Sequence, residues 1–253
     1  PDNAARYVFF SRAVPEACTA LGLRPDVIHC NDWQTGFIPV YLRSLYRTEF
    51  FSTTTTVMTI HNLGYQGLFG ASAFPLTGLG WEWFTPEGVE FYGKVNFLKA
   101  GLVASDIITT VSTTYAAEIL TPEYGYGLDG VLRKRSSDLY GVINGLDLGE
   151  RHPPGDPRLP ASYDASDLSG KALCKKALIR ECSLGEAGRD APVVAMIGRL
   201  SEQKGLDILL EAMDEMVSLG VTFAILGKGD ERFQKGIIAM AERHRGLISV
   251  MIG

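Results

Sequence analysis

Seven short apolar runs recur along the chain, at residues 27–30, 57–60, 107–111, 140–143, 193–197, 222–226 and 248–252. They are continuous rather than alternating, which is the pattern of strands covered on both faces. Helix-length segments separate them, so the spacing predicts parallel sheets flanked by helices, an α/β fold. The clearest helical period follows the fifth run: Leu206, Leu209, Leu210, Met213, Met216 and Val217 fall on one face. That stripe predicts a helix over 206–219 packed on the core, and it leaves the two methionines no binding role.

The pattern breaks between Gly149 and Gly170, where Pro153, Pro154, Pro157 and Pro160 crowd together. Proline removes a backbone donor and restricts the residue before it, so regular structure is excluded there. The expected organisation is one Rossmann-like unit over 1–148, a linker over 149–170 and a second such unit over 171–253. Two units of this kind would face each other across a cleft, with ligands at the carboxyl ends of the strands. Neither end of the chain reads as a natural terminus, and the expectation is an internal segment of a longer protein.

Composition narrows the function classes. The 253 residues are 46% hydrophobic and 21% charged, as in an ordinary cored domain, and the formal net charge is −5. That balance argues against nucleic acid or an anionic membrane surface as a partner. No apolar run approaches the length of a membrane span. Cys18, Cys30, Cys174 and Cys182 are scattered, with no Cys-x-x-Cys pair. They suggest neither zinc nor a disulfide framework, so a reducing cytosol is expected, with Cys30 serving buried packing.

The candidate chemistry lies just past the strand ends. Run 193–197 leads into Gly198-Arg199-Leu200-Ser201-Glu202-Gln203-Lys204-Gly205 and then the predicted helix. A helix N-terminus favours anions, and Arg199 and Lys204 beside it suit a diphosphate. Run 27–30 is followed by Asn31, Asp32 and Trp33, and run 57–60 by His61, Asn62 and Tyr65. Run 140–143 leads to Asn144-Gly145, and run 222–226 to Gly227, Gly229 and Asp230. Carboxylate, amide, imidazole and indole groups gathered this way suit a sugar, whose hydroxyls need donors and acceptors and whose C–H face stacks on a ring. Each has a plainer alternative: Asp32 as a helix cap, His61 as a core histidine, Asn144-Gly145 as a tight turn. Gly227-Lys228-Gly229 resembles the start of a dinucleotide fingerprint, but Arg232 stands where the third glycine belongs. With no Asp-x-Asp in the chain, no metal and no cofactor are expected, and a leaving diphosphate would be neutralised by Arg199, Lys204 and the helix N-terminus.

Several longer segments carry a family resemblance. They are His29-Cys30-Asn31-Asp32-Trp33-Gln34-Thr35-Gly36, Thr59-Ile60-His61-Asn62-Leu63-Gly64-Tyr65-Gln66-Gly67, Phe97-Leu98-Lys99-Ala100-Gly101, Thr110-Val111-Ser112 with Tyr115, Tyr126-Gly127-Leu128-Asp129-Gly130, Gly141-Val142-Ile143-Asn144-Gly145-Leu146-Asp147 and the Arg199/Lys204 loop. Through almost its whole length the chain resembles the bacterial glycogen synthase and plant starch synthase family, retaining glucosyltransferases of the GT-B fold. The resemblance implies transfer of glucose from ADP-glucose, or UDP-glucose in some members, to the non-reducing 4-hydroxyl of an α-1,4-glucan such as glycogen. It implies that Arg199 and Lys204 bind the donor diphosphate and that His61 sits against the transferring glucose. Asp32, Trp33, Asn62 and Tyr65 would line the acceptor and sugar subsite. Asn144, Gly227, Gly229 and Asp230 would approach the donor. It also implies a cytoplasmic bacterial enzyme, or a plastid one if the source is a plant.

The family's Lys-x-Gly-Gly-Leu loop and its later Glu and Cys-Gly region are absent, so about half an enzyme is represented and this segment alone is expected to be inactive. Where the family commonly carries Trp-x-Pro, Arg151-His152-Pro153 stands here. Another GT-B sugar-nucleotide enzyme and a non-catalytic glucan-binding module are the alternatives.

Overall fold

A computed structural model describes residues 2–149, 152–185 and 191–253. Arg151, and with it part of the 149–170 linker, lies outside the described residues. The chain divides into two compact units between Gly145 and Leu146, so the proline-rich stretch belongs to the second.

The first unit runs α1 (Asn3–Ala20), β1 (Val27–Asn31), α2 (Phe37–Arg43), β2 (Thr55–Ile60), β3 (Leu68–Gly70), β4 (Glu90–Phe91), β5 (Lys94–Asn96), α3 (Phe97–Ala104), β6 (Ile107–Thr110), α4 (Thr113–Glu118), α5 (Asp129–Lys134) and β7 (Leu139–Gly141). Its main sheet is parallel throughout, in the order β1-β2-β6-β7. Met58, Ile60 and Ile108 of that sheet are fully buried in one core with Ile38 of α2 and Leu98 and Leu102 of α3. All four runs predicted here are strands. The last is a strand only to Gly141; Val142 still donates its N–H to the Thr110 carbonyl at 2.8 Å, and the chain then leaves the sheet.

A clasp ties the starts of two strands together. Asp106 Oδ2 accepts both the N–H and the hydroxyl of Thr56 at 2.7 Å, while Oδ1 accepts from Arg43 at 3.0 Å. Burial opposes the charge at Asp106, yet these hydrogen bonds outweigh it and hold the carboxyl below its ordinary range.

Two features were not predicted. α1 carries exposed Phe9 and Phe10 on a poorly sorted apolar face and holds Pro15 inside the helix, so neither period nor composition marked it. The small antiparallel sheet, ordered β3-β5-β4, has strands of only two or three residues, too short for a periodic signal.

The second unit contains α6 (Ser169–Glu181), β8 (Val193–Ile197), α7 (Leu206–Ser218), β9 (Thr222–Leu226), α8 (Glu231–Arg243) and β10 (Ile248–Met251). Its parallel sheet has the order β10-β9-β8. Leu206 and Met213 of α7 are buried with Phe233 and Ile237 of α8 against Phe223 and Ile225, and Leu209, Leu210, Met216 and Val217 pack around them. The stripe read from the sequence is therefore core. Between 152 and 168 there is only a 3-10 turn, Pro153–Gly155, whose Pro154 carbonyl accepts from Ser162 Oγ at 2.9 Å. Among the described residues no helix is long and apolar enough to cross a membrane.

Candidate active site

At the ends of β1 and β2 the chain builds a fixed histidine. The main-chain N–H of His61 donates to Asp32 Oδ1 at 2.8 Å, and its Nε2 meets Asn31 Oδ1 at 2.9 Å. His61 itself is exposed, so it is not a core histidine. Asp32 makes no side-chain cap to the turn that follows; its carboxylate turns to His61 instead. The cost is visible in the backbone, because Asp32 sits at φ 55°, ψ −174°, a region that residues with a Cβ rarely enter. Its N–H is meanwhile held by the Thr59 carbonyl at 3.0 Å.

The turn after His61 is clamped from several sides. Asn62 Oδ1 accepts from the Gly64 N–H at 3.0 Å, and the Leu63 N–H donates to the Tyr115 hydroxyl at 3.0 Å. Burial pushes the Tyr115 phenol above its ordinary value despite that N–H, so its O–H stays protonated and available to donate. Gln66, buried, donates to the Tyr126 carbonyl at 3.0 Å and accepts from Asn96 at 2.6 Å. Asn96 in turn caps α3 through the Lys99 N–H. Asn31 is one of the strand-end candidates of the sequence, whereas the sequence assigns Tyr115 no role in the site. Asn31 has its signal in its place at a strand end, next to Asp32; Tyr115, inside α4, is marked only by the family resemblance.

The two aromatic candidates part company. Trp33 is packed edge-on against Tyr7, with ring centroids 4.8 Å apart, and lies close to Phe69 and Phe97. The backbone of Gly67 approaches its indole so closely that a Cβ there would fall 2.3 Å from Cε3. Tyr65, 46% exposed, is the more accessible ring. Asn144 follows β7 and is exposed. Cys30 is fully buried, and desolvation pushes its thiol up to about 12, as a packing role requires.

In the second unit Arg199 and Lys204 are exposed in the loop between β8 and α7. Gly205, at φ 71°, turns the chain into α7, where Asp207 occupies the first turn. This loop is zipped to the segment after β9. Leu200 donates to the Lys228 carbonyl at 3.1 Å, and the Asp230 N–H donates to the Leu200 carbonyl at 2.8 Å. A Cβ on Gly227 would lie 2.0 Å from the Gly198 carbonyl oxygen, and one on Gly229 would lie 2.1 Å from that of Leu200. Both glycines are thus needed for one backbone to pass against the other, whatever ligand approaches. Glu202 and Arg232, paired at 2.5 Å, add a second tie. Asp230 precedes α8 and makes no side-chain cap.

A family model described as the starch synthase catalytic domain matches residues 1–134. The chain belongs to that family. Among similar curated proteins, the glycogen synthase of Desulforudis audaxviator is 49% identical over 253 residues, covering 100% of this chain and 50% of the relative. That of Thermosipho africanus is 50% identical over 236 residues, covering 93% of this chain and 48% of the relative. The chain spans about half the length of the curated relatives it matches. The catalytic domain of starch synthase IV from Arabidopsis thaliana, bound to ADP and acarbose, matches with a TM-score of 0.92 at 33% identity. It covers 100% of this chain and 53% of that one. A trehalose-phosphate synthase from Burkholderia vietnamiensis, 13% identical with a TM-score of 0.51, shares the fold.

The parallel α/β architecture predicted from the sequence is therefore that of the GT-B glycosyltransferases. This starch synthase family chain offers two chemistries. In the first unit, a histidine is held between a carboxylate and an amide at the strand ends. In the second, two cations stand at the mouth of a parallel sheet. Among the described residues no three His, Cys, Asp or Glu side chains gather to hold a metal ion.

Proposed function

We propose that the whole protein is a glycogen synthase that transfers glucose from ADP-glucose to the non-reducing 4-hydroxyl of an α-1,4-glucan with retention. The observation that carries this reading is the exposed His61, fixed at its main-chain N–H by Asp32 and at its ring by Asn31. A rigid polar mount at the carboxyl ends of parallel strands is where an α/β enzyme holds a reacting sugar. The adenine nucleotide is favoured because the starch synthase IV domain was solved with ADP.

In this reading the bond from the anomeric carbon to the diphosphate oxygen breaks, and the bond to the acceptor 4-oxygen forms on the same face. The acceptor proton passes to the departing phosphate. Arg199, Lys204 and the N-terminus of α7 stabilise the negative charge that develops on the diphosphate, an electrostatic contribution of about 3–4 kcal/mol for each well-placed donor. Asp32, Asn62, Tyr65 and Tyr115 orient sugar hydroxyls, while Asn144 and Asp230 approach the donor. Gly227 and Gly229 act by letting the cationic loop pack. No cofactor enters the reaction, and a cytoplasmic location in a bacterium goes with it.

The test is incorporation of labelled glucose into glycogen by the whole protein, with ADP-glucose compared against UDP-glucose. Incorporation from ADP-glucose with the α-linkage kept supports the proposal. No incorporation from either donor, or an inverted linkage, defeats it.

A further inference from the structure

The turn that carries His61 is tied into the first unit by a relay of two buried side-chain amides, Gln66 and Asn96. The relay has one direction. The Lys99 N–H can only donate, and it gives its hydrogen to Asn96 Oδ1 at 2.9 Å. Asn96 therefore turns its NH2 group to Gln66 Oε1 at 2.6 Å, and Gln66 turns its own NH2 group to the Tyr126 carbonyl at 3.0 Å. A carbonyl can only accept, so neither amide can flip without losing a hydrogen bond at each of its ends. The main chain of Gln66 is fixed as well. From the start of α3, the Leu98 N–H donates to the Gln66 carbonyl at 3.0 Å and the Phe97 N–H to that of Gly67 at 3.2 Å.

The relay ends on a strained residue. Tyr126, in the irregular segment between α4 and α5, has φ 47°, in the left-handed region that side chains disfavour. Its ring is 54% exposed, so burial does not offset the strain. Such a residue persists only where its surroundings over-determine it, and here a buried amide grips its carbonyl. The ring lies against the His61 turn: a Cβ on Gly64 would fall 3.5 Å from Tyr126 Cζ and 3.2 Å from Asn62 Oδ1. Tyr115, which receives the Leu63 N–H of the same turn, is close by. Burial chiefly, with the nearby Tyr126, Glu118 and Asp32 in addition, pushes its phenol up.

We propose that Gln66 is a positioning residue for glucosyl transfer. It fixes the Tyr126 backbone, and through it the Tyr126 ring, as a wall against the turn that carries His61. Gln66 is buried and acts through Tyr126 rather than on the sugar. A methionine would fill much the same space; what it lacks is the directed N–H. The inference rests on the glucosyltransferase reading above.

The test is steady-state kinetics of the whole protein with ADP-glucose and glycogen, for wild type, Gln66→Met, Tyr126→Gly and the double variant. Gln66→Met keeps the length of the side chain and removes its hydrogen bonds. Tyr126→Gly adopts the positive φ without strain and removes the ring. Each single variant should lower kcat about tenfold to a hundredfold, the effect of a small displacement at a reacting group. KM for ADP-glucose should stay at the wild-type value, because Arg199 and Lys204 of the second unit hold its diphosphate. The double variant should be no slower than the slower single one, since the two residues act in series. A core role alone would lower Tm in Gln66→Met and leave kcat of the folded protein unchanged. Wild-type kcat in either single variant overturns the proposal, as do losses that multiply in the double variant. Tyr126→Gly changes only a half-exposed ring, so it decides the matter where Gln66→Met fails to fold. A wild type that transfers no glucose overturns the enzymatic reading and this proposal together; a wild type that transfers, with variants that keep its kcat, overturns this proposal alone.

Discussion

His61 donates its main-chain N–H to Asp32 Oδ1 at 2.8 Å, and Asp32 adopts a backbone conformation suited to glycine in order to receive it. The strand end thus exchanges local stability for a fixed histidine.

Separating those two contributions gives the first prediction. Asp32→Ala removes the hydrogen bond and keeps the strain, whereas Asp32→Gly removes both. The glycine variant should be more stable than the alanine variant by about 1–2 kcal/mol, measured by denaturant unfolding. Both should lose glucosyl transfer to the same degree, about tenfold to a hundredfold, since a hydrogen bond to a charged group contributes roughly 1.5–3 kcal/mol. Retained activity in Asp32→Gly would remove Asp32 from the site.

The zip between the two loops of the second unit makes a contrasting prediction. Gly229→Ala places a methyl group 2.1 Å from the Leu200 carbonyl oxygen, so the backbone must shift. The expected outcome is a rise in KM for the nucleotide sugar, with stability reduced by roughly 1–3 kcal/mol, the usual cost of forcing atoms into a packed site. Gly205→Ala meets nothing within 4 Å but keeps φ at 71°, and should cost only about 1 kcal/mol. Steady-state kinetics on the pair tests whether loop packing, rather than glycine flexibility alone, positions Arg199 and Lys204.

Acid titration offers an independent check on the Asp106 clasp. Its folded-state pKa lies below the ordinary carboxylate value of 3.8, so its contribution is complete above that value and is lost as pH falls through the folded pKa. Asp106→Ala should be less stable than wild type by about 1 kcal/mol at pH 7, a figure discounted because the carboxylate is 43% exposed. The gap should close progressively below pH 3.8. A gap that stays constant down to pH 2 would show that side-chain packing, not charge, holds the clasp.

Much of this was legible in the sequence, for physical reasons that differ from residue to residue. Val57 to Ile60 and Thr222 to Leu226 announced themselves because a parallel strand is apolar on both faces. The α7 stripe did so because its period is carried by large side chains. Asp32, His61 and Arg199 stood out by their places at strand ends. What stayed hidden depends on long-range contact. Tyr115 reaches Leu63 across 52 positions, Gln66 reaches Tyr126 across 60, and no local pattern encodes either. Trp33 read as a sugar platform because exposure cannot be seen in a sequence; its ring is half-buried among Tyr7, Phe69 and Phe97. Gly227 and Gly229 suggested a nucleotide, whereas the atoms nearest to them are the backbone of Gly198 and Leu200.

If the loop bearing Arg199 and Lys204 stabilises a departing diphosphate, Lys204→Ala removes one of its two cations. Glucose incorporation from ADP-glucose into glycogen should fall about a hundredfold or more in the whole protein, the effect of removing ~3 kcal/mol of transition-state stabilisation. Retention on glycogen should be unchanged. Turnover equal to wild type in Lys204→Ala would show that the loop does not carry the leaving charge.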